Sequence, residues 1–327
     1  MPPDDEPVVV PLRHPWRWVS SFVAMVLVAM LVHTLFSKIP SGASVCHQHG
    51  ATKVCGPAFQ WRFGWNVVFQ YVTDKFVIQG VELTLFVTVT SMIIGFVLGM
   101  VLAIMRMSTN RLMTGIAWLY TWFFRGTPVY VQLLFWFNIS ILYQSFTLGV
   151  PFMNSWHVAT ISSNLIFTVI RAAIIGFGLN EAAYFSEIAR SGLLSVDEGQ
   201  LEAAKAIGMT RLQSLRYIIV PQAMRVIIPP SGNEVISMLK TTSIASAIGL
   251  PELLYQTDNI SARTYQIMPL LIVASLWYLA VTTVLSIGQF YLERHYAKGA
   301  LRTVPPTPLQ RMRRDLSQLT QYRWSTR

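Results

Sequence analysis

Polar and charged residues interrupt the long apolar stretches of this chain, and six of them are its first candidates for chemistry. They are Glu82, Arg171, Asn180, Glu234 and Lys240, with Glu181 next to Asn180. A charged side chain at the centre of a bilayer costs about 3 kcal/mol unless it faces a protein interior or a wet cavity. Such residues predict a path for a polar solute. The alternative for each is an internal ion pair, or a long side chain that reaches the membrane interface.

The apolar stretches themselves indicate that the bilayer is the solvent of this protein. Hydrophobic residues make up 53% of the 327 residues and charged residues only 12%, about half the charged fraction of a soluble domain. A helix crosses the ~30 Å hydrocarbon layer with about 20 apolar residues. We therefore predict an all-α integral membrane protein with six transmembrane helices, at 18–36, 76–105, 129–146, 158–194, 226–250 and 267–292. The run 158–194 is too long for one straight crossing and is expected to bend.

The basic residues predict the orientation in the membrane. Lys and Arg number 25 against 15 Asp and Glu, and basic residues collect on the cytoplasmic side of short loops. Most of them fall inside the cell if the N-terminus 1–17 and the basic, lipid-facing tail 293–327 are both cytoplasmic. Segment 37–75 then lies outside. A signal peptide cleaved near Ser41-Gly42-Ala43 is the alternative to a first span, and it leaves 37–75 on the same side.

The outer segment 37–75 contains the only two cysteines of the chain, Cys46 and Cys55. In an oxidising compartment their spacing allows a disulfide, and two unpaired thiols are the alternative. With His47 and His49 the pair also suggests a zinc site, but the spacing fits no established ligand pattern. We predict no metal site.

Residues 195–221 interrupt the membrane pattern and predict two short helices joined by a turn. Spacings typical of capping boxes begin at Ser195 and at Thr210. Gly208 stands where the first helix should end in a left-handed residue. Helix-turn-helix motifs that bind DNA have a similar outline, but this hairpin enters the membrane at both ends and could not reach a groove. We predict no binding of nucleic acid.

This loop resembles the EAA loop of ATP-binding-cassette importer permeases, whose pattern is E-A-A-x3-G-x9-I-x-L-P. The matching residues are Glu202, Ala203, Ala204, Gly208, Ile218 and Pro221, with Val220 in place of Leu. Further stretches between about Gly80 and Leu292 are similar to the polar amino-acid uptake permeases for histidine, glutamine and arginine. They are Phe124 to Pro128, Ala183-Tyr184 with Glu187 and Arg190, Gly199-Gln200, Pro221 to Arg225, Gly232-Asn233, and Leu239-Lys240 with Thr242-Ser243.

The chain departs from that family in two places. Thr241 stands where the family commonly has Asp after the Lys, so an acidic partner for Lys240 is missing. The family core has five spans, which correspond here to the permease core 76–292, whereas this chain adds the helix 18–36 and the extracytoplasmic loop 37–75.

The resemblance implies the membrane-spanning permease subunit of an ATP-driven importer for polar amino acids in a bacterial plasma (inner) membrane. It implies separate ATP-binding-cassette ATPase subunits docked on the EAA loop 195–221, a second permease copy or related permease, and an extracytoplasmic amino-acid-binding protein. In that loop Glu202 would bond locally, while Ala203, Ala204 and Gly208 would allow a close fit. The chain has no G-x-x-x-x-G-K-[ST] motif. ATP and Mg would therefore be bound by the partner, and this chain would carry no cofactor and be no enzyme.

Two other classes of function compete with this interpretation. A self-contained secondary transporter or channel for a small polar solute would use the same intramembrane residues and need no ATPase. A membrane enzyme is the more distant rival, because the six histidines form no evident pair of nucleophile and base.

Three smaller expectations concern packing. Glu187 and Arg190 stand three apart on a helix and are expected to pair locally. Arg125, before Gly126 and Pro128, is expected to cap a helix break at the membrane interface rather than to touch substrate. Gly95 and Gly99 form a G-x-x-x-G motif that predicts close helix contact.

Overall fold

The computed structural model of the chain describes residues 15–49, 52–149 and 157–297. Helices dominate the described residues. They are α1 (Pro15–Leu35), α2 (Trp65–Tyr71), α3 (Lys75–Arg106), α4 (Arg111–Gly126), α5 (Val129–Leu142), α6 (Ser163–Ile166), α7 (Val169–Leu194), α8 (Glu198–Ala206), α9 (Arg211–Ser214), α10 (Val220–Thr241), α11 (Leu253–Thr264) and α12 (Ile267–Ala297). A π-helical turn at Leu215–Ile219 joins α9 to α10, and a 3₁₀ helix at Thr242–Ile248 follows α10.

Two antiparallel hairpins depart from the predicted all-α fold. Strand β1 (Lys38–His49) pairs with β2 (Thr52–Trp61), and β3 (Ser145–Gly149) pairs with β4 (His157–Ser162). The β4 sequence is rich in β-branched residues, which favour strands. The predicted single helix over 158–194 is therefore wrong at its beginning, and the predicted helix 129–146 ends early, at the close of α5. With 26 residues, α7 is about 39 Å long, short enough for one straight crossing.

The register of the first hairpin bears on the two cysteines. The Cα atom of Cys46 lies opposite that of Cys55. Residues directly opposite in an antiparallel pair have Cα atoms about 4.5 to 5.5 Å apart, a separation that a disulfide spans without backbone movement. The disulfide stays a prediction, and this register allows it.

Helices α3 and α7 form the centre of the fold and approach each other closely at glycines. A Cβ atom added at Gly95 would lie 2.5 Å from the Cγ atom of Glu181, and one at Gly99 would lie 2.8 Å from the carbonyl oxygen of Ala182. No real side chain fits at either position. The structure thus shows the close helix contact that the G-x-x-x-G motif predicts. The main core packs around this pair, between α3, α5, α7, α10 and the segment that follows α10, and includes Val87, Leu133, Phe177, Met238 and Leu250.

The break between α4 and α5 has a cause in the sequence. Pro128 has no backbone N–H, so the carbonyl group of Phe124 loses its helical donor. Side chains replace that donor: Gln132 Nε2 donates to this carbonyl oxygen at 2.9 Å and Asn180 Nδ2 at 3.0 Å. Gln132 also donates to Thr127 Oγ1 at 2.7 Å and accepts from Asn180 at 3.1 Å. The break is thus held by a buried amide network that ties α5 to α7.

Proline also shapes the start of α10. The π-helical turn Leu215–Ile219 ends two residues before Pro221. The proline ring clashes with the carbonyl four residues earlier, and a wider turn relieves that clash. Farther along α10, Gly232 leaves room for Gln289 of α12, whose amide donates to the Pro229 carbonyl oxygen at 3.2 Å and to Asn233 Oδ1 at 3.1 Å.

A short polar helix, α11, connects α10 to α12. Its N-cap is the fully buried Glu252, whose carboxylate accepts from the backbone N–H groups of Leu254 at 2.9 Å and Tyr255 at 2.8 Å. Tyr278 of α12 donates its hydroxyl to the same carboxylate at 3.0 Å. This fixed cap anchors α11 against α12.

Four described helices have the apolar composition of membrane segments. Two of them, α3 and α12, are long and apolar enough to cross a membrane, and Val19–Leu35 and Val129–Leu142 are shorter apolar helices. In the first of these shorter helices the side chains over 19–34 are exposed. The C-terminal end of this helix contacts Trp65 at the start of α2. The Trp65 ring stacks on Phe36 with ring centres 5.3 Å apart, and its indole N–H donates to the Leu35 carbonyl oxygen at 2.9 Å.

Candidate functional site

A cavity of about 620 Å³ opens where the break between α4 and α5 faces α7 and α10. Its walls are Arg125, Gly126, Thr127, Pro128 and Val129 from the break, Asn180, Glu181 and Tyr184 from α7, and Glu234, Ser237, Met238 and Thr241 from α10. The volume is in the range of sites that enclose small organic molecules. Two acids face one base across it, so the wall has a net negative formal charge.

Glu181 is the least satisfied polar group of this wall. The residue is only 3% exposed, and its Oε1 atom makes no hydrogen bond to any described residue. The Glu181 side chain fits between α3 and α7 because Gly95 of α3 has no side chain. A buried carboxyl oxygen without a donor or a cation is costly. Its position at a cavity wall therefore points to a ligand that donates hydrogen bonds or carries positive charge.

Arg125 connects the cavity to a cross-helix charge cluster. Its guanidinium lies 5.3 Å from the ring centre of Tyr184 and 3.4 Å from Glu187 Oε1. The same Glu187 oxygen accepts a hydrogen bond from Arg106 of α3. The expected local pair of Glu187 with Arg190 is therefore wrong. Helix packing brings two arginines from other helices to this carboxylate.

The structure separates the predicted path residues into two groups. Asn180 and Glu234 line the cavity. Glu82 and Lys240 are exposed outside it, and Arg171 donates to the Leu165 carbonyl oxygen near the start of α7.

Three further wall residues had weaker sequence signals. Arg125 lies at the helix break, as expected, and it also lines the cavity. Ser237 and Thr241 follow Glu234 at helical spacings of three and seven, so periodicity along α10 could have found them. Thr241, the position at which the sequence departs from the family pattern described above, contributes a hydroxyl group to the cavity wall. No group of three or more metal-ligating side chains occurs in the described part of the chain.

The loop 195–221 forms two helices and a turn, with one correction. The first helix, α8, is capped by Asp197, whose carboxylate accepts from the Gly199 N–H at 2.7 Å. Ser195 instead ends α7 and donates to the Gly192 carbonyl oxygen at 2.7 Å. The predicted capping box at Ser195 is therefore wrong, because α7 extends to that residue. The box at Thr210 is confirmed, with both reciprocal hydrogen bonds to Gln213 present.

Gly208 ends α8 in the left-handed conformation that the sequence predicts. Its φ is +79°. The N–H of Met209 donates to the Ala204 carbonyl oxygen at 3.0 Å, and that of Gly208 to the Lys205 carbonyl oxygen at 3.0 Å. These two bonds define a Schellman motif. The angle between α8 and α9 therefore depends on a residue that tolerates positive φ.

The loop exposes large apolar side chains. Ile207 is 76% exposed, Leu212 73% and Tyr217 64%. A cluster of this kind on a polar hairpin is typical of a docking surface for another protein. Among the six residues of the EAA pattern, Ala204 is buried and Ile218 is half-buried, whereas Glu202, Ala203, Gly208 and Pro221 are exposed.

Comparison with known proteins gives concordant matches. The family described as "Binding-protein-dependent transport system inner membrane component" matches residues 95–298. The arginine transport system permease protein ArgU of Corynebacterium glutamicum is 44% identical over 295 residues, which cover 90% of this chain and 84% of that protein. The histidine/lysine/arginine/ornithine transport system permease protein HisM of Escherichia coli is 35% identical over 235 residues, 72% of this chain and 93% of that protein.

A solved structure agrees with these relatives. It is described as the crystal structure of an amino acid ABC transporter with histidines, and it matches with a TM-score of 0.57 and 33% identity over 71% of this chain and 98% of that chain. Both relatives are named as permease proteins of amino-acid transport systems, and the solved structure is described as an amino acid ABC transporter. A self-contained secondary transporter is thereby set aside. The chain belongs to the binding-protein-dependent transport system inner membrane components, as a permease of an amino-acid ATP-binding-cassette importer.

Proposed function

We propose that this permease imports a cationic amino acid through the cavity between α4, α5, α7 and α10. The observation that carries the proposal is the buried, unpartnered carboxyl oxygen of Glu181 at the cavity wall. A cationic amino acid at neutral pH has two positive groups and one carboxylate. The cavity offers Glu181, Glu234 and Arg125, two negative groups and one positive, which is the complementary set.

The names of the relatives support this class of substrate. One is named for arginine and the other for histidine, lysine, arginine and ornithine. In the proposed arrangement Arg125 holds the substrate carboxylate, for which a guanidinium is well suited. Glu181 receives a positive group in a buried position, where a charge-assisted hydrogen bond is stronger than at the surface. Asn180 donates a hydrogen bond to the Phe124 carbonyl oxygen at the helix break, and it would thereby hold the neighbouring part of the cavity wall in position.

The loop 195–221 is proposed to dock in a separate ATPase subunit and to transmit its movement. Its exposed apolar side chains and its fixed turn support this role. Within the loop, the buried Ala204 would keep the hairpin compact. The half-buried Ile218 would support the surface that contacts the ATPase. The residues at or near that surface would be Glu202, Ala203, Gly208 and Pro221. ATP and Mg would be bound by the ATPase, and this chain would bind no cofactor.

The remaining assembly is proposed from the family and the charge distribution. Six spans place both termini and the loop 195–221 in the cytoplasm, with both hairpins outside, where an extracytoplasmic binding protein delivers substrate. A second permease copy or a related permease completes the pathway. Glu82, Arg171 and Lys240 would serve the path only if such a partner covers them.

The test is uptake by the importer expressed with its ATPase and binding protein. Arginine and lysine uptake should require ATP. Citrulline, which has the shape of arginine without its charge, should not be transported. Uptake of citrulline at the rate of arginine would overturn the cationic class. Purification of the tagged chain in mild detergent should recover a stoichiometric ATPase, and recovery of the chain alone would overturn the coupling.

A further inference from the structure

A second polar pocket lies at the opposite end of α4 from the substrate cavity. It has a volume of about 520 Å³ and is lined by Arg106 at the end of α3, Ser108 and Thr109 in the turn, Arg111 and Trp118 of α4, and Arg190 of α7. The pocket has three arginines and no acid in its wall. This pocket shares no lining residue with the substrate cavity. Of its residues, only Arg106 contacts Glu187, the carboxylate that also lies near Arg125.

The positive charge of this pocket is only partly neutralised. Glu187 accepts from Arg106, and it is shared with Arg125. Arg111 and Arg190 have no acidic partner among the described residues. Three guanidinium groups around one pocket are suited to binding a phosphate, because each guanidinium can donate two parallel hydrogen bonds to phosphate oxygens. Hydroxyl groups in the turn add donors to the same site.

The surface next to the pocket is apolar and aromatic. Along α4, Trp118 is 54% exposed and Trp122 61%, and the two rings stack at 6.2 Å. Leu119 beside them is 55% exposed, and Gly115 between the arginine and the tryptophans has open space in place of a side chain. A cationic pocket therefore continues directly into an exposed apolar face. A molecule that matches both has an anionic head and a hydrocarbon tail.

The position in the membrane favours the same molecule. The α3–α4 turn falls on the cytoplasmic side in the proposed orientation, on which this inference rests. That leaflet carries anionic lipid, and tryptophan is enriched at the depth of lipid headgroups. We propose that the pocket binds the phosphate of an anionic phospholipid whose acyl chains lie along the Trp118–Trp122 face of α4.

Native mass spectrometry of the purified chain tests this, with phosphatidylglycerol and phosphatidylcholine offered in turn. Wild-type chain should retain phosphatidylglycerol and not phosphatidylcholine. The double variant Arg111→Gln/Arg190→Gln should lose affinity by about tenfold or more, as expected for lost charge-assisted bonds. The control Arg216→Gln/Arg225→Gln removes the same charge from exposed positions of the loop and α10, and it should retain the lipid.

Three outcomes would overturn the proposal. Equal retention by the pocket variant and the control would show charge attraction without a site. Displacement of the lipid by millimolar inorganic phosphate would assign the pocket to a free anion. A photo-reactive residue at Leu119 that labels a second copy of the chain, rather than phospholipid, would assign this face to a protein contact. Uptake is not measured, so these results are independent of the substrate class.

Discussion

At the scale of single residues, Glu181 has the most consequential position in the structure. It is buried between α3 and α7, it reaches the cavity, and one of its oxygens lacks a partner. Native proteins seldom leave a buried acid unsatisfied unless a ligand completes it. The glycine opposite, Gly95, makes this placement possible at the closest point of the two helices.

We predict that Glu181→Gln changes the charge preference of transport more than it changes folding. Glutamine keeps the shape of the side chain and removes its charge. The loss of one charge-assisted hydrogen bond, about 1.5 to 3 kcal/mol, should lower kcat/KM for arginine by about tenfold to one-hundredfold. Uptake of arginine and citrulline by the assembled importer would measure the change as a ratio.

The control for that experiment is Asp258→Asn, which removes an acid from an exposed position on α11, outside the cavity. It should leave the ratio unchanged. If wild-type importer transports arginine and Glu181→Gln transports it equally well, Glu181 does not contact the substrate. If wild type fails to transport arginine, the substrate class itself is wrong.

At the scale of elements, the hairpin of α8 and α9 depends on one backbone conformation. A side chain at Gly208 would meet nothing within 4 Å, so no clash is expected. Its φ of +79° is nevertheless strained for any residue with a Cβ atom, by about 1 to 2 kcal/mol. The geometry of the hairpin, and not the packing of the core, is therefore what a substitution there tests.

We predict that Gly208→Ala inserts and folds normally but lowers ATP-driven uptake several-fold, because the strain disturbs the angle between α8 and α9. Gly208→Asn should retain more uptake, since asparagine tolerates the left-handed region. Gly288→Ala is the matched control, with the same open surroundings in α12. Normal uptake by the alanine variant would show that coupling tolerates a distorted turn.

At the scale of the whole molecule, the proposed orientation makes a direct prediction about accessibility. In a background without Cys46 and Cys55, Lys205→Cys on α8 should react with an impermeant maleimide only after the membrane is opened. Gln266→Cys, between α11 and α12, should react in right-side-out vesicles. Both positions are exposed. The reverse labelling pattern would place the loop 195–221 outside and exclude its docking on an ATPase.

Local patterns in the sequence predicted a large part of this fold. The reciprocal cap at Thr210, the left-handed Gly208 and the break before Pro128 each depend on residues a few positions apart. The first hairpin was missed because segment 37–75 was interpreted only as an outer loop, and the second because apolar content assigned its strands in part to the predicted membrane segments 129–146 and 158–194. The partner of Glu187 was missed because Arg106 is 81 residues away. The cavity could be predicted only in part, since two helices must be correctly rotated before Glu181 and Glu234 face the same space.

The carboxylate of Glu187 has one further consequence, because it links the two pockets of this molecule. Arg106 lines the pocket proposed for phospholipid and Arg125 lines the cavity proposed for substrate, and both contact the same Glu187 oxygen. A bound phosphate that drew Arg106 away would leave this oxygen to Arg125 alone, and would so weaken the positive field at the proposed position of the substrate carboxylate. We therefore expect this shared oxygen to couple the two proposed sites electrostatically, so that anionic lipid in the inner leaflet alters the affinity of the permease for its substrate.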